Sequence, residues 1–486
     1  MITRRFKIDA LFYLAVTIAI SLVRHYPFFW DTIQLASKHA HFFYETGFQS
    51  LILPTEIDSG HPPAFGIYLA VIWKIFGKTL PVSHFAMLPF LWGIIYFLLK
   101  IGEKISSRTD APWLVLLCFA SPVLAGQSVL VSPDIVLVCF FLIAVWAAWE
   151  HRNGWLTLAV IGLGIVSMRG MMLAVGLYLF SLILPSERKV ISPDFFKKML
   201  PLLPGGLLAA GFLLFHWYQT GWIGYHESST WAPSFERVDL RGFLKNITIL
   251  GWRMLDFGQV FLWFCLVLVV LFQMKTRNWK SPPFCRSSIG WQLVILALVV
   301  AVTIVPPQLF HKGLLAHRYL LPVFLTVYFI FFRLIFNELG SLKVFRKYRR
   351  PLFYFILIGL LTGNFWIYPK KISQGWDSTL AHLPWYELQK QAENFIRQSG
   401  ISYEKVGTAF PNIGPREIIE LNGVGEGFVE KNLAANCYVL YSNIMNDFSD
   451  EEIAELENTW RPVFHAEKRG VCVILYKNSK PETCEN

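Results

Sequence analysis

Long apolar runs alternate with short polar stretches along the chain as far as residue 369. An α-helix of about 20 apolar residues crosses ~30 Å of hydrocarbon and satisfies its own backbone hydrogen bonds there. The pattern predicts eleven membrane-spanning helices, at residues 8–25, 82–101, 111–127, 133–150, 154–168, 170–185, 199–219, 257–274, 289–305, 318–336 and 351–368. The predicted fold class of residues 1–369 is therefore an all-α polytopic membrane protein.

Residues 64–77 form one further apolar run, which at about 14 residues is short for a crossing helix. Basic residues decide the matter, because Lys and Arg accumulate on the cytoplasmic side of membrane proteins. If 64–77 does not cross and the N-terminus is cytoplasmic, every basic cluster is cytoplasmic: Arg4, Arg5, Lys7, Lys100, Lys104, Arg108, Arg152, Arg188, Lys189, Lys197, Lys198, Lys275, Arg277, Lys280, Arg286, Lys343, Arg346, Lys347, Arg349 and Arg350. We therefore predict that 64–77 lies at the outer interface.

This topology places a long first outer loop, residues 26–81, on the same face as 128–132, 220–256 and 306–317. The composition changes sharply after the last apolar run. Helix-like stretches occur there at 384–399 and 449–459, and strand-like runs at 404–410, 437–442, 461–466 and 471–477. We predict an extracytoplasmic α/β domain over residues 370–486.

Composition agrees with a membrane protein and argues against nucleic-acid binding. Hydrophobic residues make up 54% of the 486 residues and charged residues 16%, whereas soluble proteins average about 25% charged residues. The net charge of +11 arises from short clusters between apolar runs, as expected of topology signals. The sequence has no C-x-x-C pair, zinc-ligand spacing, glycine-rich phosphate loop or Asp-x-Asp motif, so no nucleotide site is predicted.

The polar segment 26–63 is the first candidate for chemistry. It carries seven ionisable side chains, namely Asp31, His39, His41, Glu45, Glu56, Asp58 and His61. Asp31 follows three aromatic residues where the chain leaves the first span. A carboxylate at the membrane edge suits a general base. The alternative is that Asp31 caps the interfacial helix predicted after it.

Three further charged residues stand at the ends of apolar runs. His61 precedes two prolines that prepare a helix start at Ala64, and a helix N-terminus favours anions, so His61 is a candidate phosphate contact or simply part of a turn. Asp134, in Ser-Pro-Asp, heads a predicted span, and Arg169 separates two apolar runs. Charges at such depth are costly unless paired or functional, although N-capping is an equally good explanation of Asp134.

Two outer segments hold the remaining candidates. Lys312, Arg318 and Tyr319 lie at the outer mouth of a span, where basic residues oppose the usual charge bias. An anionic lipid head group would explain them, since Arg and Lys bind phosphate; the alternative is interfacial snorkelling. His226 lies among aromatic residues of the loop 220–256, which suit either sugar rings or a membrane-interface belt.

These motifs, in this order, resemble those of the C-type membrane glycosyltransferases, especially the protein O-mannosyltransferases and the lipid A aminoarabinose transferases. That family has an acidic residue or pair after the first span, here Asp31 followed by Thr32. A Pro-containing motif then opens a helix, here GHPPAFGIYLAVIWKIFG, and a small-residue–Asp motif heads a later span, here SPD. A basic–Tyr–aliphatic–Pro motif heads a late span, here HRYLLP. The similarity extends over about residues 8–335.

The resemblance implies an inverting hexosyl- or pentosyltransferase that moves a sugar from a polyprenyl-phosphate carrier to a lipid, glycan or protein acceptor. It implies that Asp31 is the catalytic carboxylate, that Asp134 matches the acid heading its span, and that Arg318 and Tyr319 line the carrier phosphate. His61 stands where the family usually has Lys. The expected location is the bacterial inner membrane, with the site and the C-terminus in the periplasm.

The resemblance leaves cofactors open, and a divalent metal is neither required nor excluded. Gly60 and His61 replace the family's acidic–Lys pair. A metal or phosphate contact would then be rebuilt from His39, His41 or His226, with Glu56 and Asp58 as substitute acids.

A membrane transporter or lipid flippase is the alternative function. Transporters usually show internal repeats and ionisable residues near mid-span. Here the acids gather at one membrane edge and no repeat is found. A scaffold whose exported domain binds a partner is a third hypothesis.

Overall fold

The computed structural model describes residues 2–183, 199–229, 232–276, 288–338, 347–369, 372–445 and 447–479. Nine basic residues of the predicted cytoplasmic clusters lie outside these ranges: Arg188, Lys189, Lys197, Lys198, Arg277, Lys280, Arg286, Lys343 and Arg346. The last two residues of the predicted span 170–185 also lie outside them.

A helix occupies the position of each predicted span. The helices up to residue 369 are α1 (Ile2–Val23), α2 (His39–Thr46), α3 (Ala64–Phe76), α4 (Leu80–Phe85), α5 (Leu88–Ile105), α6 (Ala111–Ala120), α7 (Pro122–Ser128), α8 (Pro133–Trp149), α9 (Asn153–Val166), α10 (Met168–Ile183), α11 (Leu203–Thr220), α12 (Leu240–Leu255), α13 (Gln259–Thr276), α14 (Ser288–Phe310), α15 (Leu321–Arg333) and α16 (Arg349–Gly363). Among the described residues, three helices are long and apolar enough to cross a membrane, or five if each of two bent pairs is one span. Eleven crossings therefore remain a prediction.

Two helix pairs bend sharply. α6 and α7 meet at 80°, because Pro122 disfavours a helical conformation of the residue before it and Ser121 is extended. α12 and α13 meet at 87°. The sequence predicts α12 only as part of a loop, because Arg241, Lys245 and Arg253 interrupt its apolar residues.

The predicted cytoplasmic and outer segments lie at opposite ends of the helical part. Where α5 and α8 end, Lys104 pairs with Glu150 at 2.9 Å. The segments predicted to share the outer face meet at the opposite end, where α8 begins. One example is Asp58 of the first loop, which binds His216 near the end of α11 at 2.9 Å. The predicted grouping of these segments is observed, while their orientation in a membrane remains a prediction.

The C-terminal residues form a small α/β unit, as predicted. Its helices are α17 (Pro384–Gln398), α18 (Arg416–Glu420) and α19 (Asp450–Thr459), and its strands are β1 (Val406–Thr408), β2 (Gly414–Pro415), β3 (Gly427–Glu430), β4 (Tyr438–Ser442), β5 (Arg461–Lys468) and β6 (Val471–Lys477). The strand order is β2-β3-β1-β4-β6-β5. β1 is parallel to β3 and β4, and the other pairs are antiparallel. The strand-like runs correspond to β1, β4, β5 and β6, whereas β2 and β3 were not predicted from the sequence.

The α/β unit packs directly on the first outer loop through α18. The backbone N–H of Phe28 donates to the carbonyl of Ile419 at 3.0 Å. Lys78 pairs with Glu417 at 2.6 Å. These contacts hold the C-terminal residues over the segment that carries Asp31.

α16 packs closely against the turn between α12 and α13. Gly359 and Gly363 lie four positions apart on one helix face, and a Cβ on Gly363 would overlap the carbonyl group of Phe257. Small residues at this spacing let helix backbones approach closely in membranes. The contact fixes the turn that carries Asp256, a residue that supports the site described below.

We expect Gly363→Val to lower the free energy of unfolding by about 1–3 kcal/mol, because the new side chain meets backbone atoms that cannot rotate away. Thermal unfolding in detergent micelles measures the effect. Leu361→Val is the matched control, since Leu361 lies in the same helix and its side chain is 47% exposed. Equal stability of the two variants would contradict the close packing.

Candidate active site

The side chain of Arg318 is the centre of a buried ionic cluster. Arg318 lies in a 3₁₀ turn, His317–Leu320, that leads into α15. Its guanidinium donates to the carboxylates of Asp31 and Asp377, and its Nε lies 3.5 Å from Oδ2 of Asp134. Arg318 is 5% exposed, so its charge depends on these three carboxylates for compensation.

Asp31 reaches the cluster because the residues around it form a tight turn. The hydroxyl of Thr32 accepts from the N–H of Phe29 and donates to its carbonyl, both at 2.8 Å. A π-helix, Ile33–Lys38, follows, and Thr32 rather than Asp31 occupies its N-cap position. The alternative interpretation of Asp31 as a helix cap is therefore wrong. Thr32, which replaces the family's second acid, has a structural part in the turn.

Asp134 is likewise not a helix cap. Ser132 caps α8, and its hydroxyl accepts from the N–H of Asp134 at 3.2 Å. The Asp134 carboxylate pairs with Arg169, at the start of α10, at 2.6 Å. Arg169 and Arg318 thus share this carboxylate.

Asp377 completes the cluster but was not predicted from the sequence. Its backbone carbonyl accepts from Gln127 at 2.9 Å, and Gln127 in turn accepts from Ser132 at 2.5 Å. Gly126 lets this backbone approach α7, since a Cβ there would lie 2.7 Å from the N of Thr379. The only signal in the sequence was a carboxylate shortly after the last apolar run.

The guanidinium groups of Arg169 and Arg318 both lie near the ring of Tyr319. The Cζ of Arg169 lies 4.2 Å and that of Arg318 5.0 Å from the centre of its ring. Cations over an aromatic face are stabilised by the ring quadrupole. The Tyr319 hydroxyl also accepts from Arg318 at 3.2 Å. The two positive charges thus share one aromatic ring and, in Asp134, one carboxylate.

The cluster contains three carboxylates and two guanidinium groups. Burial raises the pKa of Asp31, and the neighbouring carboxylates of Asp377 and Asp134 add to the rise, while Arg318 opposes it. A carboxylate with a raised pKa is a better proton acceptor than an exposed one. The cluster thus combines a carboxylate of raised pKa with two guanidinium groups.

A cleft beside the cluster contains His61. It has a volume of about 20 Å³ and is lined by His61, Asp134, Arg169, His39 and the start of α3, among others. Burial lowers the pKa of His61 to about 3, helped by the charges of Arg169 and His39. Its buried Nδ1 atom has no hydrogen-bond partner among the described residues. His61 is therefore neutral near neutral pH, with a hydrogen-bonding atom available for a ligand.

The chain was compared with known proteins. No protein-family model and no curated protein sequence matches it. Among solved structures, the crystal structure of ArnT from Cupriavidus metallidurans bound to undecaprenyl phosphate matches with a TM-score of 0.55 at 10% identity, covering 96% of this chain and 97% of that one.

The chain has the fold of ArnT. The resemblance to the lipid A aminoarabinose transferases predicted from the motifs is thereby confirmed at the level of the fold. The likeness to ArnT includes the C-terminal residues, beyond the range over which the sequence motifs extend.

Two predicted site residues make their contacts elsewhere in this ArnT-like fold. His226 pairs with the hydroxyl of Ser228 at 2.6 Å. Lys312, whose side chain is 66% exposed, pairs with Glu236 at 2.8 Å. Among the described residues, neither His226 nor Lys312 forms a hydrogen bond or ion pair with the Arg318 cluster.

Two other polar residues of the first loop, Asp58 and His39, form hydrogen bonds that stabilise the loop. Asp58 binds His216 and also accepts from the N–H of Gly60 at 2.7 Å, which fixes the backbone beside His61. His39 pairs with the carbonyl of Ile57 at 3.0 Å. The described part of the chain contains no group of three or more His, Cys, Asp or Glu side chains placed to hold a metal ion.

A second polar group, also missed from the sequence, supports the turn before Arg318. His317 is buried, and its Nε2 lies 2.8 Å from Oδ2 of Asp256. The hydroxyl of Tyr368 donates to the same carboxylate. These hydrogen bonds fix His317 in the 3₁₀ turn and so help to orient Arg318, the next residue.

We expect Arg318→Met to lower the free energy of unfolding by about 3–5 kcal/mol at neutral pH, because three buried carboxylates lose a common counter-charge. The loss should shrink as the pH falls. The folded-state pKa of Asp31 is already raised, and removing Arg318 raises it further, so protonation stabilises the folded variant below that pKa.

Thermal unfolding in micelles from neutral to mildly acidic pH tests this expectation. Lys312→Met is the control, since an exposed ion pair contributes at most about 1 kcal/mol. A loss in Arg318→Met that does not change with pH would contradict the clustered carboxylates.

Proposed function

We propose that this chain is an integral membrane glycosyltransferase that transfers a sugar from a polyprenyl-phosphate carrier to an acceptor. The observation that carries the proposal is the presence of two guanidinium groups, Arg169 and Arg318, and the Asp31 carboxylate in one ionic cluster, in which Arg318 pairs with both Asp31 and Asp134 and Arg169 pairs with Asp134. Support comes from the fold, which is that of an ArnT bound to undecaprenyl phosphate. The proposed location is the bacterial inner membrane, with the site and the C-terminal residues in the periplasm.

The guanidinium groups would bind the phosphate of the carrier. Arg forms forked hydrogen bonds that match phosphate oxygens. Both groups lie near the ring of Tyr319 and share the carboxylate of Asp134, and the available Nδ1 of His61 lies in the adjoining cleft. These residues supply electrostatic stabilisation where negative charge grows during departure of the phosphate.

Asp31 would act as the general base of an inverting displacement. Its carboxylate takes the proton of an acceptor hydroxyl, and the acceptor oxygen forms a bond to the anomeric carbon from the face opposite the phosphate. The bond between that carbon and the phosphate oxygen breaks, and the carrier phosphate leaves with the electron pair. Negative charge is thereby removed at Asp31 while it increases at the phosphate beside Arg318 and Arg169.

In the absence of a ligand, the positive charge of Arg318 and the negative charge of Asp31 compensate each other within the cluster. Arg318 binds Asp31 directly, so a phosphate that takes over part of the guanidinium would release the carboxylate. The raised pKa of Asp31 prepares it to accept a proton once the arginine is shared. Binding of the donor would in this way activate the base.

Asp31→Asn should reduce transfer by about 100-fold to 10,000-fold, the usual contribution of a general base, while membrane insertion and carrier binding persist. The assay incubates purified protein with a panel of labelled polyprenyl-phosphate sugars and scores carrier loss by mass spectrometry. Glu56→Gln, which removes an exposed carboxylate of the same loop, is the matched control. Full activity of Asp31→Asn would refute the assignment.

The pH dependence of kcat/KM should show an acidic limb with a midpoint above about 3.9, the ordinary aspartate pKa. Burial raises the pKa of Asp31, so the base is lost by protonation at a higher pH than in an exposed residue. Unfolding transitions measured over the same range exclude denaturation as the cause. A limb at or below the ordinary value would argue against Asp31 as the base.

A further inference from the structure

A second cavity lies between the C-terminal residues and the end of the helical part. It has a volume of about 220 Å³, and its lining includes Trp30, Tyr368, Ser373, Trp376, Asn443 and Asp450. Binding sites for small molecules often lie at domain interfaces. The cavity shares no lining residue with the cleft beside His61.

Two indole walls of this cavity are adjacent to carboxylates of the ionic cluster. Trp30 directly precedes Asp31, and Trp376 directly precedes Asp377. Both carboxylates bind Arg318. A molecule between the two indoles is therefore one residue away from the proposed base.

The third aromatic wall is linked to the cluster through hydrogen bonds. The hydroxyl of Tyr368 donates to Asp256, and Asp256 binds His317, the residue before Arg318. All three aromatic walls are thus attached to the same group of charges, and the cavity adjoins the reaction centre.

The walls are held in place before any ligand arrives. The side chain of Gln374 accepts from the N–H of Tyr368 at 2.8 Å and donates to the carbonyl of Trp366 at 2.9 Å. Asn443 donates to the carbonyl of Gly470 at 2.8 Å. Such preorganisation reduces the cost of binding.

The backbone of Trp30 is strained. Its φ of 52° lies in the left-handed region, which is unfavourable for a residue other than glycine. The N–H of Trp30 donates to the sulfur of Met445 at 3.4 Å, so the C-terminal residues help to hold this conformation. Strain of this kind concentrates at functional sites.

We propose that this cavity binds the acceptor, and that the acceptor is a saccharide. The proposal rests on the function proposed above, because it names the second substrate of the same transfer. A sugar ring has C–H faces that pack against the indoles of Trp30 and Trp376. Its hydroxyl groups can donate to the carboxylate of Asp450 and to the hydroxyl of Ser373.

The saccharide assignment follows from the mixture of aromatic and polar groups. A lipid chain would favour a continuous apolar channel, whereas Asp450, Ser373 and Asn443 interrupt the apolar lining. Trp30 of the lining directly precedes Asp31, to which an acceptor hydroxyl would give its proton. A peptide hydroxyl is the competing acceptor that the experiment must distinguish.

The test introduces a large side chain into the cavity by a substitution at an exposed residue. Ser373 is exposed, so Ser373→Trp should fold and place an indole in the space. Purified full-length protein is titrated calorimetrically with a panel of methyl glycosides and disaccharides in the absence of carrier. Saccharide affinity should fall by about tenfold or more, since the cavity is no longer open to a sugar ring.

Two further variants sharpen the result. Ser399→Trp is the matched control, because Ser399 is equally classed as exposed and lies outside the lining of the cavity. Asp450→Asn should weaken saccharide binding by about tenfold, the usual worth of a hydrogen bond to a charged group. Carrier binding, measured separately with a polyprenyl phosphate, should stay within about twofold of the original protein in all three variants.

Loss of saccharide binding in Ser373→Trp but not in Ser399→Trp would support the proposal, and a glycolipid in the panel shows whether the saccharide is membrane-borne. Absence of saccharide binding, equal binding by Ser373→Trp, or transfer to a Ser/Thr peptide alone would overturn it. Saccharide binding that depends on Ser373 in a protein that never consumes carrier would uphold the saccharide site and overturn the transfer function.

Discussion

The buried charge of Arg318 is the constraint on which the rest of the structure depends. A guanidinium removed from water needs carboxylates close by, and leaving it without them would cost several kcal/mol. Asp31, Asp134 and Asp377 meet this need from three distant parts of the chain. One side chain thereby joins the first outer loop, the start of α8 and the segment that begins the C-terminal unit.

The C-terminal residues are consequently part of the site. The bend at Ser121 turns α7 so that Gln127 can bind the backbone at Asp377. α18 binds the first loop at Phe28. Removing this unit would take one carboxylate from the cluster and most of the lining from the larger cavity. A function that resides in the C-terminal residues alone, as a scaffold would require, does not fit this division of the cluster.

Two cavities lie near the cluster. Asp134 and Arg169 line the cleft with His61, whereas Trp30 and Trp376, the residues next to Asp31 and Asp377, line the larger cavity. The proposed transfer needs a donor site and an acceptor site that meet at the proposed base. The two cavities would provide such a division, with the proposed phosphate-binding Arg169 in the lining of one and the neighbour of the proposed base in the lining of the other.

Much of this protein was predictable from the sequence. Apolar runs predict helices because hydrocarbon demands both hydrophobic side chains and internally bonded backbone. The same demand makes exceptions informative: Asp31, Asp134, Arg169 and Arg318 stand out as charges at the ends of apolar runs, and all four meet in the cluster. Lys312 stands out in the same way, yet it pairs with a surface residue.

Only the tertiary structure decided which charges are partners. Asp377 lies in an ordinary polar segment, and nothing local distinguishes it from its neighbours until the bend at Ser121 brings α7 against it. His216 lies inside an apolar run, and its pairing with Asp58 depends on the packing of α11 against the first loop. Hydropathy reports the burial of each segment separately. The pairing of charges is a through-space property of residues far apart in sequence, so it arises only when the helices pack.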